Sequence, residues 1–283
     1  MQAKSTARIA GSALRRKQRE KMKIDVAKVL KDKGIRHAPG FVVRYLRRIV
    51  HEDEVNGYLR DLGHLPTLEF VSAFLKRMDI SCRTEGMERL DPHGRYIFAS
   101  NHPFGGLDGM MLADVVAKYF GDVRVVVNDI LMNIEPLRPI FVPVNKHGRQ
   151  NPEYSRLFAE AFESDVPIVT FPAGLCSRRI RGRVTDLPWK PNFIRRAIAE
   201  RRDVVPVFFE GELSNFFYRL SNIRKMLGVK ANIEMLYLVD EMFRQSGRSF
   251  TIRIGEPVPW QQIADGQRPQ AWCDEIRRRA EIL

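Results

Sequence analysis

The chain has 283 residues, 44% of them hydrophobic, with 47 Lys and Arg against 34 Asp and Glu, a formal net charge of +13. That length and apolar content suit one large domain, or one domain with a small appendage, and exclude wholesale disorder. Three well-separated cysteines (Cys82, Cys176, Cys273) exclude a disulfide scaffold and a cysteine-only zinc site, and no run of 18 apolar residues is present to span a bilayer.

At the N-terminus there is no apolar core ahead of a small-residue cleavage site, so no secretory signal is expected and the cysteine usage points to a reducing compartment. Residues 1–50 hold 15 Lys and Arg but only three acids, Glu20, Asp25 and Asp32, so nearly all of the net charge sits there. Met22, Val26, Val29 and Leu30 recur at helical spacing, which predicts a basic amphipathic helix over 18–31. Such an arm suits an anionic partner, a membrane surface, a nucleic acid or an acidic protein; the alternative is a solvated tail or an ordinary surface helix. No aromatics interleave with the charges and no DNA- or RNA-binding signature follows, so nucleic acid is not the expected partner.

Residues 66–78 carry Leu68, Val71, Phe74, Leu75 and Met78 at a spacing of three and four behind a cap at Thr67, which predicts a packed helix. After Asp91 the pattern changes. Short β-branched runs at 95–100, 123–127, 140–144, 167–171, 204–209 and 250–254 alternate with helix-period stretches near 108–120, 152–163, 190–201 and 214–227. This alternation predicts an α/β fold, a largely parallel central sheet flanked by helices, with an N-terminal helical segment. The stretch Phe216–Leu227 reads either as core packing or as part of a docking face.

Chemistry-bearing residues collect where predicted strands end. The first strand runs into Asn101-His102-Pro103-Phe104-Gly105-Gly106-Leu107-Asp108. An imidazole there can take a proton from a hydroxyl near neutral pH, and a carboxylate on its other nitrogen fixes the tautomer. Gly105 and Gly106 give the loop freedom to fold back so that the two side chains meet. The alternative is a capping aspartate beside a loop histidine. The strand at 167–171 leads into Pro172-Ala173-Gly174-Leu175-Cys176-Ser177-Arg178-Arg179, with Arg181 and Arg183 beyond. Those guanidiniums suit a phosphate or carboxylate, or form a solvated basic loop. Cys176 has no nucleophile signature around it. The six histidines (37, 51, 64, 93, 102 and 147) lack ligand spacing, so no metal is expected.

Four blocks in this order resemble the glycerolipid (lysophospholipid) acyltransferase family: Asn101-His102…Asp108, then Phe141–Lys146, then Phe171-Pro172-Ala173-Gly174 with Ser177-Arg178, then Val205-Pro206-Val207. Ile252–Val258 is similar to that family's closing strand, and the resemblance covers residues 85–260. Two departures stand out. Five residues separate His102 from Asp108 where four are usual, and Ala173 replaces the usual Glu. The run Asn-His-Pro-Phe-Gly-Gly-Leu-Asp-Gly resembles the bacterial branch labelled hemolysin-like, some members of which O-acylate lyso-amino-acid lipids such as lyso-ornithine or lyso-glycine lipids.

The resemblance implies transfer of a fatty acyl group from an acyl carrier protein or coenzyme A thioester to the hydroxyl of a lyso-lipid, with no acyl-enzyme. It implies His102 as general base and Asp108 as its orienting carboxylate. Asn101, Gly105, Gly106, Asn145, Lys146, Phe171, Pro172, Gly174, Ser177, Arg178 and Arg179 then bind substrate, and backbone N–H groups near Gly105–Asp108 or at Gly174 stabilise the oxyanion. No metal or cofactor beyond the acyl donor is implied. Residues 1–84 become a basic, membrane-docking helical segment and 85–283 the acyltransferase domain, with the protein peripheral on the cytoplasmic side of the inner membrane at an anionic surface. The competing readings are a non-catalytic lipid- or carrier-binding protein on the same scaffold, and a thioester hydrolase.

Overall fold

The computed structural model describes residues 23–32, 34, 35, 37–144 and 151–283. Residues 18–22 of the expected basic helix, and Asn145 and Lys146, lie outside the described residues; 23–25 are described and are not helical, so among the described residues the helix expected over 18–31 begins only at Val26. Helices α1 (Val26–Asp32), α2 (Gly40–Ile49), α3 (Glu52–Leu62) and α4 (Thr67–Arg77) precede the first strand. The strands are β1 (Ser81–Glu85), β2 (Tyr96–Ser100), β3 (Arg124–Asn128), β4 (Phe141–Val144), β5 (Ile168–Thr170), the short hairpin β6 (Arg178–Ile180) and β7 (Arg183–Thr185), β8 (Asp203–Phe209) and β9 (Ser249–Ile254). Between and after them lie α5 (Gly106–Phe120), α6 (Pro152–Glu163), α7 (Asn192–Ala199), α8 (Asn215–Met226), α9 (Leu238–Phe243), α10 (Trp260–Ala264) and α11 (Pro269–Glu281).

Seven strands form one sheet in the order β1-β9-β8-β2-β5-β3-β4. All neighbours pair in parallel except β8 and β9, so β9 and β1 run against the other five. The fold is α/β with a mostly parallel central sheet flanked by helices. Both faces are covered, and the residues of the central strands divide between them with the period of two that a pleated strand imposes. Tyr96 and Phe98 of β2, with Val205, Val207 and Phe209 of β8, pack into a core closed by α4 and α5. Ile97 and Ala99 of β2, with Val204 of β8, face a second core closed by α6, α7, α10 and α11.

β1 was absent from the strands expected, and it spans the division expected between residues 84 and 85. It pairs along its whole length with β9, and Phe70, Val71, Phe74 and Leu75 of α4 belong to the same core as β2 and β8. The helical segment and the sheet are therefore packed together through α4 and β1. Opposite α4, the fully buried Arg202 bonds the carbonyls of Phe162 and Val166, each at 2.9 Å, and so satisfies groups at the C-terminal end of α6. Burial lowers that guanidinium to about 10.

In this topology β2, β5, β3, β4 and β8 end on one edge of the sheet. The edge beyond the carboxyl ends of parallel strands is where such folds place ligands.

Candidate active site

His102 leaves the end of β2, and Asp108 lies in the first turn of α5. The chain between them reverses at Gly105, whose φ of 72° and ψ of −125° suit a residue without Cβ. The reversal absorbs the fifth intervening residue. His102 Nδ1 and Asp108 Oδ2 lie 2.8 Å apart. The amide N–H of Phe104 donates to both Asp108 oxygens, at 3.1 and 3.0 Å. Asp108 is wholly buried. Burial pushes its carboxyl above the usual carboxylate range, opposed by the hydrogen bond and charge of His102 and by the Phe104 amide.

With Nδ1 committed to Asp108, Nε2 is the nitrogen turned away from the carboxylate, on a ring that stays 18% exposed. Phe171, just past β5, stacks on that ring with centroids 4.2 Å apart and planes at 26°. The ring is thus held on one edge by a carboxylate and on one face by an aromatic from the neighbouring strand end. Gly106 opens α5 with no atom within 4 Å of where a Cβ would stand, so there is room over the helix start. N–H groups of a first helical turn have no carbonyl partner within their own helix and favour negative charge.

The remaining expected residues divide into two groups. Asn101 sits beside His102, but its carboxamide is engaged with β8: Nδ2 donates to Phe209 O at 3.0 Å and Oδ1 accepts from Phe209 N at 2.7 Å. It prolongs the β2–β8 ladder by one side chain. Pro172 and Ala173 are buried, Ala173 in the second apolar core. Gly174, with φ of 68°, donates its N–H to Phe171 O at 2.9 Å and closes the turn. Ser177 N donates to His102 O at 2.8 Å, so the two loops are joined directly.

Arg178 and Arg179 are not free cations. Arg178 is 1% exposed and its guanidinium bonds Cys176 O at 2.7 Å and Glu234 Oε1 at 3.1 Å. Arg224 Nε lies 2.8 Å from the other Glu234 oxygen, forming a buried triad. Arg179 pairs with Glu212 at 3.0 Å and caps the Tyr218 ring. The exposed cations of this segment are Arg181 and Arg183, at the turn of the β6–β7 hairpin. Burial pushes the Cys176 thiol up to about 11, which leaves no thiolate for nucleophilic work at neutral pH.

Sequence reasoning missed Asp186. This buried carboxylate follows β7 and accepts from three donors: His102 N at 3.2 Å, Ser177 Oγ at 2.5 Å and Trp189 Nε1 at 2.8 Å. Two of its donors, Ser177 and Trp189, are close in sequence, but the bond that ties it to the catalytic loop comes from His102, 84 residues away, and no local pattern announces it. Asp186→Ala strands those donors in a buried place. The expected cost is about 3 kcal/mol, or about 10 °C in Tm by thermal melting, with slowed turnover because the His102 backbone loses an anchor. An unchanged Tm would show that the three bonds carry no weight.

Gly211 also supports the site from a distance. At φ of 138° it lies against the ring of Phe104, whose Cζ would stand 2.1 Å from a Cβ at that position. A separate groove of about 790 Å³ between α4, α5 and β1, lined by Ser72, Lys76, Cys82, Asp114 and Lys118, receives no residue of the His102 loop. Among the described residues no group of three or more His, Cys, Asp or Glu has the arrangement of a metal site. Also among them, no helix is long and apolar enough to cross a membrane.

Comparison with known proteins places this geometry in context. A family model described as acyltransferase matches residues 26–280. A lyso-glycine lipid O-acyltransferase of Phocaeicola vulgatus is 43% identical over 258 residues, 90% of this chain and 92% of the relative. One from Bacteroides thetaiotaomicron is 43% identical over 258 residues, 90% of this chain and 95% of the relative. Among solved structures, the 1-acyl-sn-glycerophosphate (LPA) acyltransferase PlsC of Thermotoga maritima aligns over 86% of this chain and 88% of its own, with a TM-score of 0.46 and 16% identity.

Proposed function

The chain belongs to the acyltransferase family, and from that membership we propose that it moves a fatty acyl group from an acyl carrier protein or coenzyme A thioester to the hydroxyl of a lyso-amino-acid lipid of the lyso-glycine type. The observation that carries the mechanism is the 2.8 Å contact between His102 and a wholly buried Asp108 at the end of β2. Asp108 accepts the Nδ1 proton and so leaves the Nε2 lone pair available. Nε2 takes the proton of the acceptor hydroxyl as its oxygen attacks the thioester carbonyl. The tetrahedral oxyanion is met by N–H groups at the start of α5, since Gly174 has spent its N–H on the turn. Collapse breaks the carbon–sulfur bond, and the imidazolium returns the proton to the departing thiolate. No acyl-enzyme forms.

The acceptor and the product are membrane lipids, so the protein works as a peripheral protein at the cytoplasmic side of the inner membrane. Asn145 and Lys146, outside the described residues, remain candidates for the acceptor's head group.

Purified protein supplied with a long-chain acyl thioester and a lyso-glycine lipid should release one thiol per diacyl lipid formed. Thiol release should fall to background without the acceptor. Free fatty acid released equally with and without acceptor would make the protein a thioester hydrolase. Failure to acylate any lyso-lipid from either donor would leave a binding protein on this scaffold.

A further inference from the structure

The turn Ile233–Tyr237, between α8 and α9, has two sides. On the inner side Glu234 is wholly buried in its triad with Arg178 and Arg224. Met235 Sδ lies 3.8 Å from Cys176 Sγ, and Leu238 follows so close to Gly105 that a Cβ there would meet its methyls at 3.2 Å. This side rests on the two loops that carry His102 and Ser177. On the outer side Ile233 and Leu236 are exposed.

The exposed apolar surface continues from there. Phe216, Ile223, Met226 and Leu227 fall on one stripe of α8 and its end, and Val229 follows; Met226 is 78% exposed. The opposite stripe of α8, Phe217, Ser221 and Arg224, is buried, so the helix is packed and its outward apolar stripe is surplus to the core. Phe41 and Tyr45 of α2 extend the surface. Tyr237 joins the parts: its hydroxyl bonds that of Tyr45, and its ring meets Phe216 edge-on at 4.9 Å.

Exposed cations border this surface, and the neighbouring acids Asp25, Glu212 and Asp240 are each paired with a cation of the fold. Arg44, Arg48, Arg219, Lys225 and Lys230 are exposed, and none holds an ion pair with a described residue. The sequence has no Asp or Glu between Asp32 and Glu52, and none between Glu212 and Glu234. An apolar patch flanked by exposed cations that no acid among the described residues pairs fits an anionic lipid surface: the apolar residues reach the boundary of headgroups and acyl chains, and the cations meet lipid phosphates. A second copy of this chain is a poorer occupant, because a two-fold contact would set the cationic borders against each other.

We propose that the face formed by the C-terminal half of α8, the turn 233–237 and the outer side of α2 docks on an anionic bilayer, with Met226 and Leu227 inserted deepest. It follows that lipid reaches His102 from beside the turn whose inner side supports the catalytic loops. This assignment rests on the lyso-lipid reading for its purpose and stands on its own measurements. Vesicles of phosphatidylglycerol and phosphatidylcholine should float the wild-type protein, and pure phosphatidylcholine should float it less. M226E/L227E should bind the mixed vesicles about 30-fold or more weaker, and Lys225→Gln or Lys230→Gln about five-fold weaker each on the anionic vesicles alone. All three variants should match the wild type in Tm and in transfer to a short-chain lyso-lipid below its aggregation concentration.

The face itself is reported by Leu227→Trp, whose fluorescence should be quenched by phospholipid brominated on the acyl chain. Absent quenching, or undiminished flotation of M226E/L227E, would overturn the assignment. So would sedimentation showing an oligomer that M226E/L227E breaks with flotation intact, which would give the face to a second copy. Wild-type protein that floats yet acylates no monomeric acceptor would refute the transferase reading and leave the docking face in place.

Discussion

Replacing His102 with alanine is expected to slow acyl transfer by about 10³-fold, the scale of a lost general base, with the protein still folded. The imidazole is the group whose Nε2 is turned from Asp108 on a ring that solvent reaches. Its loss also removes the stack on Phe171 and one partner of the buried carboxylate. Asp108 keeps the Phe104 amide on both oxygens. The expected stability loss is therefore about 1–2 kcal/mol, well inside the 5–15 kcal/mol of an ordinary domain. Thiol release under saturating donor and acceptor, beside a thermal melt, measures both. Undiminished turnover in a folded variant would remove the mechanism.

Asp108→Asn separates orientation from charge. The asparagine oxygen can still accept the Phe104 N–H, but its amide then donates to His102 Nδ1 and drives the imidazole proton onto Nε2, the atom that must accept one. Turnover should fall by about 10³-fold with the ring still in place. Stability should change in the other direction. Burial raises the folded-state pKa of Asp108, so its ionisation weighs against the native state. That penalty is absent below the unfolded carboxylate pKa of about 3.9, grows as pH climbs toward the folded value and is complete above it. Asparagine does not ionise. The Tm of the variant minus that of the wild type should thus be more positive at pH 7 than at pH 4. Equal differences at the two values, or a more negative one at pH 7, would mean that burial does not dominate the environment of this carboxylate.

The central strands were legible because both of their faces are buried. Tyr96–Ser100 and Asp203–Phe209 read as short apolar runs with nothing to be mistaken for. β1 was not, since Ser81-Cys82-Arg83-Thr84-Glu85 is an edge strand with polar residues on its open side. The β6–β7 hairpin was read as a loop. Its turn is Arg181-Gly182, both at positive φ, and arginine is a weak signal for such a turn. The His102–Asp108 contact was readable because strand end, glycine pair and helix start all lie within one short stretch. The fate of Arg178 was not, because the acid that buries it is 56 residues further along. Local sequence shows that a guanidinium is present; only the packing of α8 and the turn after it shows that the charge is already matched.

The ring of Phe104 resting on Gly211 has a consequence for how this chain can drift. Any side chain at position 211 would displace the ring, and the amide of the displaced residue is the one that holds both oxygens of Asp108. A loop position with no polar group to offer thus has an alphabet of one letter. Its intolerance would be read as a folding defect by anyone screening variants for expression, when what is lost first is the grip on a carboxylate 103 positions earlier in the chain.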